Sequence, residues 1–349
     1  AKEPAEKPKG KAAPKPKAVG TPERLRSETV ADVLKEVHGP KAKVFGLSLK
    51  DRSAILPTGQ RPDGAYWFYG AFGTSTYYAD RVRPWVQEFN ASKRADRWFG
   101  RDWVPARADV DYAAWSGPDD VRGEGGGRGQ GVTFPHPTTG GKPAVRADYY
   151  EALANSPFGN DLLLDFAKTC VTAEGLGADD VPDLLVVSFS SNDLIGHTWG
   201  PDSQEVLDVT LRSDALMADL LNFLDEKVGK GQYLLGLTAD HGVCPLTEVS
   251  QSTGTAPGAA RVPDAALAAA VNAHLSRKYP PLIGTGQDAR WVDAEAVKFP
   301  WVSLNERVVA AAGRPRAEVA AEAAAALRAH PQVLRAFTQA DLSGPVPPG

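Results

Sequence analysis

The sequence is poor in cysteine, in long apolar runs and in surplus positive charge. Two cysteines, Cys170 and Cys244, stand in 349 residues. That excludes a disulfide framework and leaves at most one bridge, with reduced, buried thiols as the simpler expectation. No apolar run approaches the ~20 residues of a membrane-spanning helix, and no charged segment followed by an apolar one marks a secretory leader. The glycine-rich run GEGGGRGQG (123–131) fits neither a G-x-G-x-x-G fingerprint nor a P-loop. His136 stands where the first glycine of a P-loop would be needed before Gly141-Lys142, so a flexible loop is expected there. There is no internal repeat. Lys and Arg number 39 against 43 Asp and Glu, a net charge of −4. Six Lys and two Glu lie in the first twenty residues, so the remainder is at −8. An acidic body argues against nucleic acid as the main partner and fits a chain that gathers carboxylates for metal ions.

The composition that remains is ordinary for a globular protein, with 42% hydrophobic and 23% charged residues. The length fits one large α/β domain or two smaller ones. Residues 1–22 are Lys, Pro, Ala and Gly with almost nothing large and apolar, and are expected to be a disordered loop or tail. Both ends read as linkers, as expected of a piece of a longer protein.

Helix and strand signals alternate through the rest. Ser27 is placed to cap a helix over SETVADVLKEV, and KVFGLSL (43–49) reads as a buried strand. Five of the eight Trp then fall between Trp67 and Trp115 among Gly, Pro and Asp. Residues 53–146 are therefore expected to form an irregular cap or insertion on a domain spanning 23–349. Helices are predicted at 147–154 and 160–174. DLLVVSFSS (183–191) is an apolar run expected to be a strand buried on both faces. A helix at about 203–228 follows, opened by a capping-box-like Asp202 and Glu205. QYLLGLTA (232–239) completes a strand-helix-strand unit with parallel pairing. Ala-rich helices are predicted over 264–278, with Asp264 as N-cap, and 316–328, with a peripheral strand at 290–296.

The chemistry gathers where the strands end. The first run is followed by Asp193 and His197, the second by Asp240 and His241. Ligands in open α/β sheets bind beyond the carboxyl ends of strands, so two such pairs would share one crevice. Carboxylate oxygen with imidazole nitrogen suits Zn²⁺, with Mn²⁺ as the weaker alternative. Two carboxylates bring −2 against +4 from two divalent ions, so a dianionic substrate would complete the balance. At a third strand end, SLKDR (48–52) offers Lys50, a point charge, and Arg52, a planar fork, both suited to phosphoryl oxygens.

SFSSNDLIGHTWGPDSQE, followed some fifty residues later by TADHG, resembles the alkaline phosphatase superfamily, and within it the type I phosphodiesterase and nucleotide pyrophosphatase branch. KVFGLSLKDRSAILPTG, AYWFYGAFGTSTYY, PFGNDLLLDFAK and FLDEKVGKGQYLLGLTADHG resemble the phosphate-irrepressible periplasmic alkaline phosphatases of that branch, chiefly over 24–242. The resemblance implies an α/β three-layer sandwich with a mostly parallel sheet, here incomplete and carrying a cap-like insertion. It implies two Zn²⁺ ions about 4 Å apart, one held by Asp193 and His197, the other by Asp240 and His241. It also implies phosphate monoester hydrolysis through a phospho-enzyme, with Lys50 and Arg52 on the phosphoryl oxygens, in the periplasm or outside the cell. The family's nucleophilic Thr or Ser and further ligands have no match in these residues, and neither His274 nor His330 takes a ligand's place. The chain as it stands is thus expected to show little or no turnover. The alternatives are a phosphodiesterase or nucleotide pyrophosphatase with the same four ligands, or a relative that binds metal or phosphate without catalysis. The oligomeric state is not legible.

Overall fold

The computed structural model describes residues 20–279, 290–298 and 300–344; most of the Lys/Pro/Ala-rich tail expected at 1–22 lies outside them. The chain divides into two units, up to Leu246 and from Thr247 onward. In the first, helix α1 (Val30–His38) leads to strand β1 (Val44–Ser48), short helix α2 (Asp51–Ile55) and strands β2 (Gly64–Phe68) and β3 (Phe72–Gly73). Helix α3 (Pro84–Ala91), helix α4 (Tyr112–Ser116) and a two-residue ribbon of β4 (Asp102–Trp103) with β5 (His136–Pro137) follow. Then come α5 (Ala147–Ala154), α6 (Pro157–Glu174), β6 (Leu184–Ser188), α7 (Ser191–Trp199) and α8 (Gln204–Leu224).

The central sheet has the order β3-β2-β1-β6. β1 pairs in parallel with both β2 and β6, and only β3 runs antiparallel. This is the expected α/β sheet. Its two faces are covered by different helices. Phe45, Leu47, Tyr66 and Phe68 point into the main core with Phe166, Leu162 and Leu163 of α6. Ala65 and Trp67 point the other way, into a smaller cluster with Ala54 and Ile55 of α2 and Tyr78. Gly46 sits under α2, where an added Cβ would lie 2.0 Å from the Ala54 carbonyl oxygen. Glycine there lets the helix lie against the strand.

The main core is aromatic. Phe72 and Phe166 stack with centroids 3.7 Å apart, and Trp85, Phe89 and Tyr66 crowd the same ring. A second knot joins loop residues to α8. The fully buried Asp208 carboxylate accepts from Trp103 Nε1, Tyr112 Oη, the Ala106 N–H and Arg212 Nε, at 2.6–2.7 Å. Four donors satisfy this charge, which makes its burial tolerable. Nearby, His136 Nε2 lies 2.8 Å from Glu205 Oε1, both residues completely buried.

Several expectations are corrected. Thr29, not Ser27, caps α1, through a capping box with Asp32. Ser203 caps α8, while Glu205 turns inward to His136. The stretch expected to be an irregular cap supplies β2 and β3 to the main sheet; β2, parallel and buried on both faces, shows no alternation to betray it. β6 is half-buried along its whole length rather than sealed on both faces. Residues 232–239 form no strand: Leu234 and Leu237 are exposed. An apolar run signals a need for cover, and among the described residues nothing supplies a ladder partner for it. Cys170 is free and buried, Cys244 free and exposed.

In the second unit, Asp264–Lys278 and Arg316–Arg328 are helices at the expected positions. Pro263 takes the N-cap position expected of Asp264. Their small faces pack around Val271, Leu275, Val292 and Val319. The expected strand at 290–296 is instead a loop and a turn of 3₁₀ helix, Ala294–Ala296, before a two-residue hairpin strand, Val297–Lys298. A short segment broken by Asp293 lacks the length for a ladder. His274 bonds Glu322 at 2.9 Å across the two helices, an anchoring role. Among the described residues no helix is long and apolar enough to cross a membrane.

Candidate active site at the strand ends

β1 and β6 are parallel and in register, Ser48 opposite Ser188, so both release the chain at the same edge of the sheet. Beyond β1, Lys50 stays extended (φ −120°, ψ 139°) before α2 begins. Beyond β6, α7 starts within three residues and carries Asp193 and His197 one turn apart. Lys50 Nζ consequently donates to Asp193 Oδ2. His197 Nε2 stands 3.3 Å from Asp193 Oδ1. The segment after α8 returns to the same place: His241 Nε2 lies 3.8 Å from Asp193 Oδ1 and 3.6 Å from Asp240 Oδ2. Three of the six candidate residues, Lys50, His197 and His241, therefore gather around the carboxylate of a fourth, Asp193, and Asp240 meets that group only through His241. Arg52 stands apart, exposed on α2, with its backbone N–H bonded to Asp51 Oδ1.

Burial pushes the Asp193 carboxyl up. The hydrogen bond and charge of Lys50, with His197 and His241 adding to them, outweigh burial and hold it below the usual carboxylate range. Its Oδ1 atom is buried and accepts no hydrogen bond. An orphaned carboxylate oxygen facing two imidazoles suits a divalent cation. At zinc bond lengths of about 2.0–2.1 Å, two donors on one tetrahedral ion stand ~3.3 Å apart. The Asp193–His197 spacing meets that figure, and the Asp240–His241 spacing is wider. Among the described residues no three His, Cys, Asp or Glu close into a full metal shell.

The floor of the crevice is a set of buried polar side chains that patterning missed. Ser48 accepts the Lys50 N–H at 3.1 Å and meets Ser190 Oγ at 2.9 Å, tying the two strand exits together. Asn160 of α6 accepts from the Ser191 N–H and donates to Asn192 Oδ1. Ser191 Oγ donates to the Ala154 carbonyl. The available signal was polarity where apolar residues are due: Ser48 closes an apolar strand, and Asn160 sits in the first turn of an apolar helix.

A model of the type I phosphodiesterase / nucleotide pyrophosphatase family matches residues 30–339. The chain belongs to that family, within the alkaline phosphatase superfamily. The family match runs past the 24–242 over which the motifs resemble the alkaline phosphatases. Alkaline phosphatase PafA of Elizabethkingia meningoseptica is 40% identical over 230 residues, 64% of this chain and 41% of that protein. Alkaline phosphatase PhoV of Synechococcus elongatus is 38% identical over 232 residues, 64% of this chain and 40% of its own length. The crystal structure of wild-type alkaline phosphatase PafA superimposes with a TM-score of 0.76 at 32% identity, covering 91% of this chain and 58% of that one. The chain thus spans about two fifths of these curated relatives in sequence.

Proposed function

We propose that this chain carries part of the active site of a two-zinc phosphate monoester hydrolase that works outside the cytoplasm. One observation carries the reading: Lys50, Asp193, His197 and His241 converge where two parallel strands end. Asp193 with His197, and Asp240 with His241, are the residues that would hold the two ions. When bound, such ions offset phosphoryl charge and lower the pKa of an oxygen nucleophile. The chain's own residues do the rest. Lys50, His197 and His241 favour the ionised form of Asp193 over its burial, and that is the form a cation binds. Lys50 pairs with Asp193 and, were a cation held by that carboxylate, would have its ammonium available for a phosphoryl oxygen. Arg52, exposed on α2 and apart from that cluster, would have to turn toward it to add a second cationic contact. The nucleophile of the phospho-enzyme step is not assigned to a residue of this chain.

A diesterase reading draws on the family description itself. The two are separated by titrating the zinc-loaded chain with phenyl phosphate and diphenyl phosphate, in wild type and in Lys50→Ala and Arg52→Ala. The proposal expects tighter binding of the monoester and a loss of about tenfold per variant, confined to the monoester. Equal binding, indifferent to both substitutions, favours the diesterase. Failure to take up zinc or either ester sinks both.

A further inference from the structure

We infer that Asn160, which lies outside the proposed metal and phosphoryl set, is the positioning residue that fixes Asp193. What Asp193 does rests on the proposed function; how it is held does not. The opening turn of a helix leaves N–H groups without intrahelical partners, and a side chain at the N-cap ordinarily accepts one. In α7 the N-cap residue, Ser190, makes no such bond. Its hydroxyl is engaged with Ser48 instead. The acceptor comes from a different helix: Asn160 Oδ1, on α6, takes the Ser191 N–H at 3.2 Å. The same side chain donates from Nδ2 to Asn192 Oδ1 at 2.8 Å. Both residues immediately before Asp193 are thus held by one fully buried amide.

The surroundings are built for this approach. At Gly159 an added Cβ would stand 2.6 Å from Ser191 Oγ and 3.0 Å from the Leu153 carbonyl oxygen, so only glycine lets α6 come this close to α7. Asn192 Oδ1 accepts a second bond from Ser213 Oγ of α8, at 3.3 Å. Ser191 Oγ reaches the Ala154 carbonyl at the end of α5. Three helices therefore clamp two residues, and the third residue in line is the carboxylate to which Lys50, His197 and His241 all point. Truncating the amide frees a helix start whose next side chain must meet an ion to within a few tenths of an ångström.

The test compares Asn160→Ala with Cys170→Ala in the full chain. Cys170 is equally buried on the same helix but ten residues away from the clamp. Two readouts are taken: amide hydrogen exchange at Ser191–Asp193, and zinc affinity by competition with a chromophoric chelator. Asn160→Ala is expected to speed exchange at these amides at least tenfold and to weaken zinc by about 10- to 100-fold, the range for groups that orient a ligand from behind. Cys170→Ala should change neither. Unchanged exchange overturns the inference, and so does faster exchange with undiminished zinc affinity. If the wild-type chain takes up no zinc, the proposed function fails, and the exchange rates alone decide whether Asn160 holds Asp193. Should Asn160→Ala not fold, Asn192→Ala carries the same test, since it removes one of the two bonds and keeps the other.

Discussion

The two Asp–His pairs carry similar residues and are held in opposite ways. Asp193 and His197 project from a helix whose first turn is clamped by α5, α6 and α8, and the Asp193 side chain is only 20% exposed. Asp240 and His241 lie on an irregular segment, and the Asp240 side chain is 78% exposed. Equal side-chain chemistry does not give equal settings. What distinguishes them is the ring of neighbours behind the carboxylate. The clamped pair shows the donor spacing of a zinc site in the protein by itself, while the other is brought near by its chain and not fixed by it.

The contrast can be broken at several levels. The widest gap is in local stability. Amide exchange at Leu185–Val187, in the ladder with β1, should be slower than at Leu234–Thr238 by at least ~100-fold, or about 2.7 kcal/mol. Comparable protection would mean that 232–239 is paired after all. Next, Asp193→Ala leaves Lys50 with little exposure and no partner. It should lower unfolding free energy in urea by about 2 kcal/mol, reduced from the full cost of a broken buried pair because both groups retain some solvent. Asp240→Ala should stay within about 0.5 kcal/mol, and equal losses would erase the distinction. Ser48→Ala, which unties the two strand exits, should cost about 1 kcal/mol in the same assay and lower zinc affinity at the clamped pair.

The smallest effect is a pH slope. Loop 121–131 buttresses the end of α7 through the Gly125 N–H to the Thr198 carbonyl, at 2.6 Å. Burial raises Glu124 in that loop to about 7, against the Val121 N–H that lowers it, with Glu205 and Asp119 adding to the rise. The folded state then keeps a proton that the unfolded state releases near pH 4.5, so stability declines as pH climbs from there to about 7. Glu124→Gln should flatten that decline in thermal unfolding scans. An unaltered slope would remove Glu124 as its source.

Much of this was readable in the residues, and the limits are physical. The strands expected at 43–49 and 183–191 stand at Val44–Ser48 and Leu184–Ser188, one to three residues shorter at their ends, and the placement of Asp193 and His197 just beyond the second followed from its apolar run. β2 was hidden because Gly64–Phe68 is a short run buried on both faces, set in a stretch crowded with tryptophan and glycine that reads as irregular. The run 232–239 erred in the other direction: its pattern states which faces want cover but cannot provide the neighbour. Asn160 gave only a weak signal because polar residues at the start of a helix ordinarily face water, and the close approach permitted by Gly159 brings it inside.

The cysteines give the molecule a built-in address. Cys170 is sealed in the core, where burial raises its thiol well above the ordinary range and keeps it unreactive. Cys244 is open to solvent three residues beyond His241. A thiol-directed probe will therefore modify one position without any mutation, and that position is on the unclamped arm of the crevice. A fluorophore or spin label there would report, in time, whether zinc or phosphate draws that arm into order.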